Sequence, residues 1–144
     1  MRLDGEDPQA PPGLGITRMS VWTFEDFEAG APVGEATVAL DHRRLDLWER
    51  LHGPADGLPS GLVLAAMMEA YIAAIQPRPE GNVHAGQTLA FSGRRPAPDA
   101  GLHFAFACRD KALKRDRRWV WFDFEAADSA GPVAAGTITA IWAA

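Results

Sequence analysis

Glu69 is the residue whose setting is hardest to explain without chemistry. Between Leu62 and Ile75 it is the only carboxylate, and the one other polar side chain is Tyr71. A carboxylate in such a run is costly to bury, and unpaired it should have a raised pKa, the state expected of a catalytic base or nucleophile. The competing reading is structural: Glu69 pairs with an arginine or a tyrosine, or lies at a subunit interface. His84, two residues before Gly86, is a second candidate, as a general base or a ligand contact, against the reading of a surface histidine. Ser60 has no His or Asp partner at a telling spacing, and a serine just before an apolar helix usually caps it. His42, His52 and His103 are scattered and Cys108 is the single cysteine, so neither a metal site nor an internal disulfide is expected. Arg109, Lys111, Lys114, Arg115, Arg117 and Arg118 cluster with Asp110 and Asp116 among them. Such a cluster is either a solvated hairpin tip or a phosphate-binding surface.

These residues need a frame. Pro59 suits a first helical turn, Ala, Leu and Met favour helix, and Pro77 and Pro79 end the run, so a helix is predicted from Pro59 to Ile75. It is apolar on nearly every face and should be surrounded by protein. It is too short to span a membrane, which takes about 20 apolar residues. Before it, Met1–Gly15 reads as a loose arm, with a single domain over residues 16–144. Ile16–Phe24 reads as a first strand and Glu35–Leu40 as a second. Asp41 looks like an N-cap for a short amphipathic helix carrying Leu45, Trp48 and Leu51 and ending at Gly53-Pro54. After the central helix come four strand-like segments, Val83–Arg95, Gly101–Ala112, Trp119–Ala127 and Val133–Trp142. Turn signals separate them, which implies an antiparallel meander. Phe104 and Phe106 share one face, as do Val120, Phe122 and Phe124. The fold class is α+β, a curled antiparallel sheet wrapped around one long buried helix.

The net charge of −5 argues against a general nucleic-acid binder. It is unevenly spread, −6 over residues 1–100 and +1 over residues 101–144. The acidic start carries no apolar leader run, and with the single cysteine this suggests the cytoplasm.

The order of elements resembles the hot-dog fold, and within it the MaoC-like branch that includes R-specific enoyl-CoA hydratases. Four stretches carry the resemblance. Phe24-Glu25-Asp26-Phe27-Glu28-Ala29-Gly30 looks like that family's opening turn. Thr37 to Gly53, with Trp48 at an aromatic position, looks like its next stretch. Ser60-Gly61-Leu62 looks like its H-G-M/L approach to the central helix, and Val83-His84-Ala85-Gly86-Gln87-Thr88-Leu89 looks like its P-V-x-x-G-D-T-L. The resemblance implies an acyl-CoA or acyl-carrier thioester as ligand, with coenzyme A entering only as part of the substrate and no separate cofactor. It implies at least a homodimer. It places Ser60, Gly61, Gly86 and Tyr71 in the substrate site, and Arg115, Arg117 and Arg118 become candidates for the CoA phosphates.

One departure is informative. The family's hydratases carry G-D-x-N-P-x-H, whose Asp and His share the proton work. Here Gly53 is followed by Pro54, and only Ala55-Asp56-Gly57-Leu58 remain before Pro59. General acid–base catalysis needs a titratable group within reach of the moving proton, and Pro54 supplies none. Ordinary hydratase chemistry is therefore not expected. A hydratase with relocated groups would need Asp56 and His84 to meet. Hot-dog thioesterases of one class have a helix-entry Gly followed eight positions later by a catalytic Glu, the spacing of Gly61 to Glu69. A thioesterase using Glu69 and a non-catalytic partner subunit are the alternatives.

Overall fold

The computed structural model describes residues 18, 20–40, 42–97 and 101–144. The arm read at Met1–Gly15 and the cap read at Asp41 lie outside them. Along the chain come a single 3-10 turn at Phe24–Asp26, β1 (Pro32–Ala39), α1 (His42–His52), α2 (Ser60–Ala74), β2 (Val83–Phe91), β3 (Gly101–Lys114), β4 (Arg117–Asp128) and β5 (Gly131–Trp142).

Among the described residues five antiparallel strands form one sheet in the order β1-β3-β4-β5-β2. Only β3, β4 and β5 form a meander, which corrects the four-strand meander expected from the sequence. β2 pairs with β5, Val83 opposite Ile141 and Phe91 opposite Ala134, and lies at the far edge from β1. The cause is the connection after β2. It is held at the start of α2, where the Leu58 N–H donates to the Pro96 carbonyl at 3.0 Å. The chain thus re-enters the sheet beside β1, with Ala39 opposite Gly101. The β3–β4 link, by contrast, is a two-residue turn with Arg115 and Asp116 at φ 53° and 60°, the left-handed geometry that fits strand twist.

The side chains alternate as the sequence suggested. Phe104, Phe106, Val120, Phe122, Phe124 and Ile138 point inward and are fully buried. Against them α2 lays Val63, Met67 and Tyr71 together with Ala66, Ala70 and Ala74. Those three alanines recur every four residues and let the helix approach closely. At Gly34 of β1 an added Cβ would run into the carbonyl of Ala74. The opposite side of α2 is open: Ala65, Glu69, Ile72 and Ala73 are exposed or half-exposed. The sequence expectation that protein surrounds the whole helix therefore fails for the single chain. β2 is exposed or half-exposed at every residue.

The strand read at Ile16–Phe24 is also corrected. Among the described residues this stretch ends in the 3-10 turn, because the Asp26 carboxylate takes the Thr23 N–H at 2.7 Å and the Thr23 hydroxyl at 3.0 Å. Local side-chain bonds of this kind compete with strand pairing. The segment is a plug instead. Trp22 stacks on Phe27 at 5.0 Å, and the Trp142 indole N–H donates to the Trp22 carbonyl at 2.8 Å. Gly30, at φ +88°, turns the chain so that its N–H meets the Cys108 carbonyl at the β3 bulge.

Two carboxylates tie surface segments down. Arg94 forks onto Asp128 at 2.7 and 3.1 Å, and its hydrogen bonds hold that carboxyl below its usual value of 3.8. Asp26 is lowered by the Thr23 N–H and then, against the opposing effect of burial, by the Thr23 hydroxyl and Arg18. A depressed folded-state pKa contributes stability that is present above the unfolded value and lost as pH falls through the folded one. Thermal stability is therefore expected to fall on acidification below pH 3.8. In a pH series of melting curves, the double variant Asp26→Asn/Asp128→Asn should show a shallower fall than the parent.

Candidate functional site

The N-terminal end of α2 gathers the polar groups that could meet a ligand. Pro59 occupies the cap position and Ser60 is the first helical residue, so Ser60 is not the cap the sequence suggested. The Pro59 carbonyl accepts from Leu62 at 3.0 Å and Val63 at 3.2 Å. The N–H groups of Ser60 and Gly61 have no carbonyl within the helix, as at any helix start. The connection from α1 is fixed where the Ala55 N–H donates to the Glu49 carboxylate at 2.8 Å.

An open pocket of about 630 Å³ lies here, lined by Trp48, His52, Asp56, Ser60, Gly61 and Arg95 among others. A narrower one of about 270 Å³ lies alongside, lined by Ser60, Val63, Phe91, Arg94, Arg95 and Val133 among others. Ser60 and Arg95 border both. Trp48 of α1 covers Gly61 so closely that an added Cβ there would lie 2.5 and 2.7 Å from its ring carbons, and the His52 ring stands 4.3 Å from the Trp48 ring. Gly61 is thus glycine because an indole lies on it. Its N–H can face the pocket, while its α-carbon face belongs to Trp48.

The other predicted residues are elsewhere. Glu69 lies on the open side of α2, half-exposed and paired with Arg44 at 3.0 Å. The premise of a buried, unpaired carboxylate is not met, and Glu69 borders neither pocket. It stands nine residues from Ser60, about 13 Å along the helix axis. Tyr71 is buried in the second half of α2 against Phe106 and Phe122, and burial pushes its phenol pKa up. Arg78 closes that end of the helix, donating to the carbonyls of Tyr71 and Ile75 at 3.2 Å each, with its guanidinium 4.6 Å from the Tyr71 ring centre.

His84 meets Tyr71 edge-on at 6.2 Å and shares a 2.9 Å hydrogen bond with Gln87. Gly86 follows at the β2 bulge. Asp56 and His84 therefore sit by different halves of α2, and the pairing required of a relocated hydratase does not form within one chain; the histidine that shares Asp56's pocket is His52. Arg115, Arg117 and Arg118 are at the β3–β4 tip. Arg118 lies opposite Trp142, beside the C-terminal end of α2. None of the three lines either pocket that Ser60 borders. Within one chain the predicted phosphate residues and the predicted thioester residues do not share a site.

Sequence reasoning missed Arg95 and His52. The available signal for the first was two consecutive arginines directly before Pro96; for the second it was a histidine in the last turn of an amphipathic helix, one turn after Trp48.

Likeness of shape to solved structures decides the architecture. R-hydratase PhaJ1 from Pseudomonas aeruginosa superposes with a TM-score of 0.63 at 23% identity, over 83% of this chain and 84% of that one. A MaoC-like dehydratase from Rhodospirillum rubrum gives 0.66 at 19% identity, over 82% and 94%. A hot-dog-like protein from Thermanaerovibrio acidaminovorans gives 0.57 at 17%, over 79% and 84%. This chain has the hot-dog fold. No family model and no curated protein matches the sequence. In hot-dog terms α2 is the central helix, and the pockets lie where it enters the sheet. Among the described residues no helix is long and apolar enough to cross a membrane.

Proposed function

We propose that this hot-dog chain binds acyl thioesters of the CoA type at the start of α2, as a cytoplasmic homodimer, without the proton chemistry of an ordinary enoyl-CoA hydratase. One observation carries the reading: on this scaffold the start of the central helix opens onto a pocket of about 630 Å³ with an indole wall and two first-turn N–H groups. That volume is within the range of about 300–1,000 Å³ usual for small-molecule sites. Backbone N–H groups there suit a polarised thioester carbonyl. The link between α1 and α2 is seven residues, Gly53–Pro59, with Pro54 in place of the hydratase aspartate. The open flank of α2 and the edge of β2, unpaired among the described residues, support a second copy closing that side.

A second reading has one observation in its favour. His52 and Asp56 both line the pocket, and together they offer an acid–base pair that the hydratase segment does not. The thioesterase alternative rests on Glu69 alone.

Purified protein is to be incubated with a panel of saturated and 2-enoyl CoA thioesters and the products read by mass spectrometry. The expected result is retained ligand with no turnover. A product heavier by one water, abolished in His52→Gln, would establish the second reading. Free CoA released faster than by Glu69→Gln would establish the thioesterase. Glu69→Gln itself should cost less than about 1 kcal/mol of stability, the range for exposed ion pairs.

A further inference from the structure

Resting on the thioester reading above, we propose that Arg95 anchors the phosphate of a phosphopantetheine-bearing thioester, with the phosphate in the narrower pocket and the acyl-pantetheine arm in the wider one. Arg94 and Arg95 are neighbours with opposite situations. Arg94 is saturated: it forks onto Asp128 and also donates to the carbonyls of Gly131 and Pro132. The Arg95 side chain makes no hydrogen bond or ion pair among the described residues, yet its backbone is held from both sides. Arg94 is locked on one side, and on the other the Pro96 carbonyl takes the Leu58 N–H.

The exposed side chain of Arg95 leaves the backbone beside Gly57. Gly57, at φ +78°, passes so close that an added Cβ would lie 3.0 Å from Arg95 Cβ and 3.8 Å from its Cδ. The result is an exposed guanidinium, uncommitted among the described residues, on a held backbone at the border of two pockets. A planar guanidinium suits bidentate phosphate recognition.

Charge decides which pocket takes the phosphate. Asp56 lines the wider pocket and would repel it. The narrower pocket is lined by both arginines and by no carboxylate. Ser60 borders both pockets, so an extended ligand would pass over it. The hairpin arginines Arg115, Arg117 and Arg118 line neither pocket and are not needed for this arrangement within one chain.

The test is isothermal titration with three probes: hexanoyl-CoA, hexanoyl phosphopantetheine and hexanoyl pantetheine, the last without phosphate. The proteins are the parent chain, Arg95→Gln and the triple variant Arg115→Gln/Arg117→Gln/Arg118→Gln. Glutamine keeps the carbons that touch Gly57, and an unchanged melting curve verifies the fold. The parent should prefer the two phosphate-bearing probes. Arg95→Gln should lose about tenfold or more of that preference, the scale of a charge-assisted hydrogen bond, and bind hexanoyl pantetheine unchanged. The triple variant should behave as the parent. Loss for both phosphate probes assigns Arg95 to the pantetheine phosphate that carrier proteins share; loss for hexanoyl-CoA alone assigns it to the nucleotide phosphates and overturns the placement of the pantetheine phosphate at Arg95. Arg95→Gln retaining the preference, or the hairpin variant losing it, overturns the proposal and leaves the thioester reading standing. A parent that binds none of the three overturns both.

Discussion

Replacing Trp142 by alanine should cost about 3–5 kcal/mol, the range for removing a fully buried aromatic from a core. A domain of this kind holds about 5–15 kcal/mol in total, so the variant should unfold at far lower urea. The size of the effect follows from what one side chain joins. Trp142 is 1% exposed at the end of β5. Its ring meets Phe27 edge-on at 5.0 Å and Phe122 at 5.9 Å, and the Arg78 guanidinium stands 5.4 Å from its centre. Its N–H satisfies the Trp22 carbonyl. Removing it would take away the ring that the plug at residues 22–27 packs against on β5 and leave that carbonyl without its donor. The comparison is Trp119→Ala. Trp119 is half-buried and stacks on Trp121 at 6.3 Å on the opposite face of the sheet. That loss should be clearly smaller, because Trp119 buries only part of its area and the pair adds about 0.5–1.5 kcal/mol beyond that. Equal losses for the two tryptophans would show that the plug contributes nothing.

The same plug shows where local sequence signals stop. Ile16–Phe24 has the β-branched and aromatic content of a strand, but Trp22 and Phe27 are used as inserted rings while Thr23 and Asp26 satisfy the backbone locally. Strands β3 to β5 were legible because each alternates and short turns link one to the next. The place of β2 was not, because a connection of several residues permits either neighbour, and the choice was made by a contact with the start of α2 that no local pattern encodes. The apolarity of α2 was read as a demand for burial on nearly every face, and the described chain meets it on one side only. Which side that would be was not legible, since apolar residues run nearly all round the helix. Glu69 follows from this: it lies on the flank the single chain leaves open, and Arg44 of α1 reaches it there. The three hairpin arginines illustrate a separate limit. Their composition suits phosphate, but composition carries no information about which end of the central helix a hairpin tip will reach.

Gly61→Val should test the site and the scaffold together. A branched side chain at this position would occupy the space of the Trp48 indole, and forced overpacking of this kind costs about 1–3 kcal/mol. Trp48 must move, and with it the wall of the wider pocket and the His52 ring that rests against it. Affinity for hexanoyl-CoA should therefore fall by about tenfold or more, since an indole wall contributes roughly 1.5–3 kcal/mol of apolar contact. Stability and affinity can be separated by adding Trp48→Ala to Gly61→Val. The smaller residue relieves the overlap, so the double variant should melt above the single one, and the energies should couple strongly, as for any two residues in contact. Affinity should stay low, because the indole is gone. If the double variant regains both, Trp48 is only a spacer over Gly61 and the ligand wall lies elsewhere. If it regains stability alone, the glycine at the start of the central helix exists to seat an aromatic that the ligand itself touches.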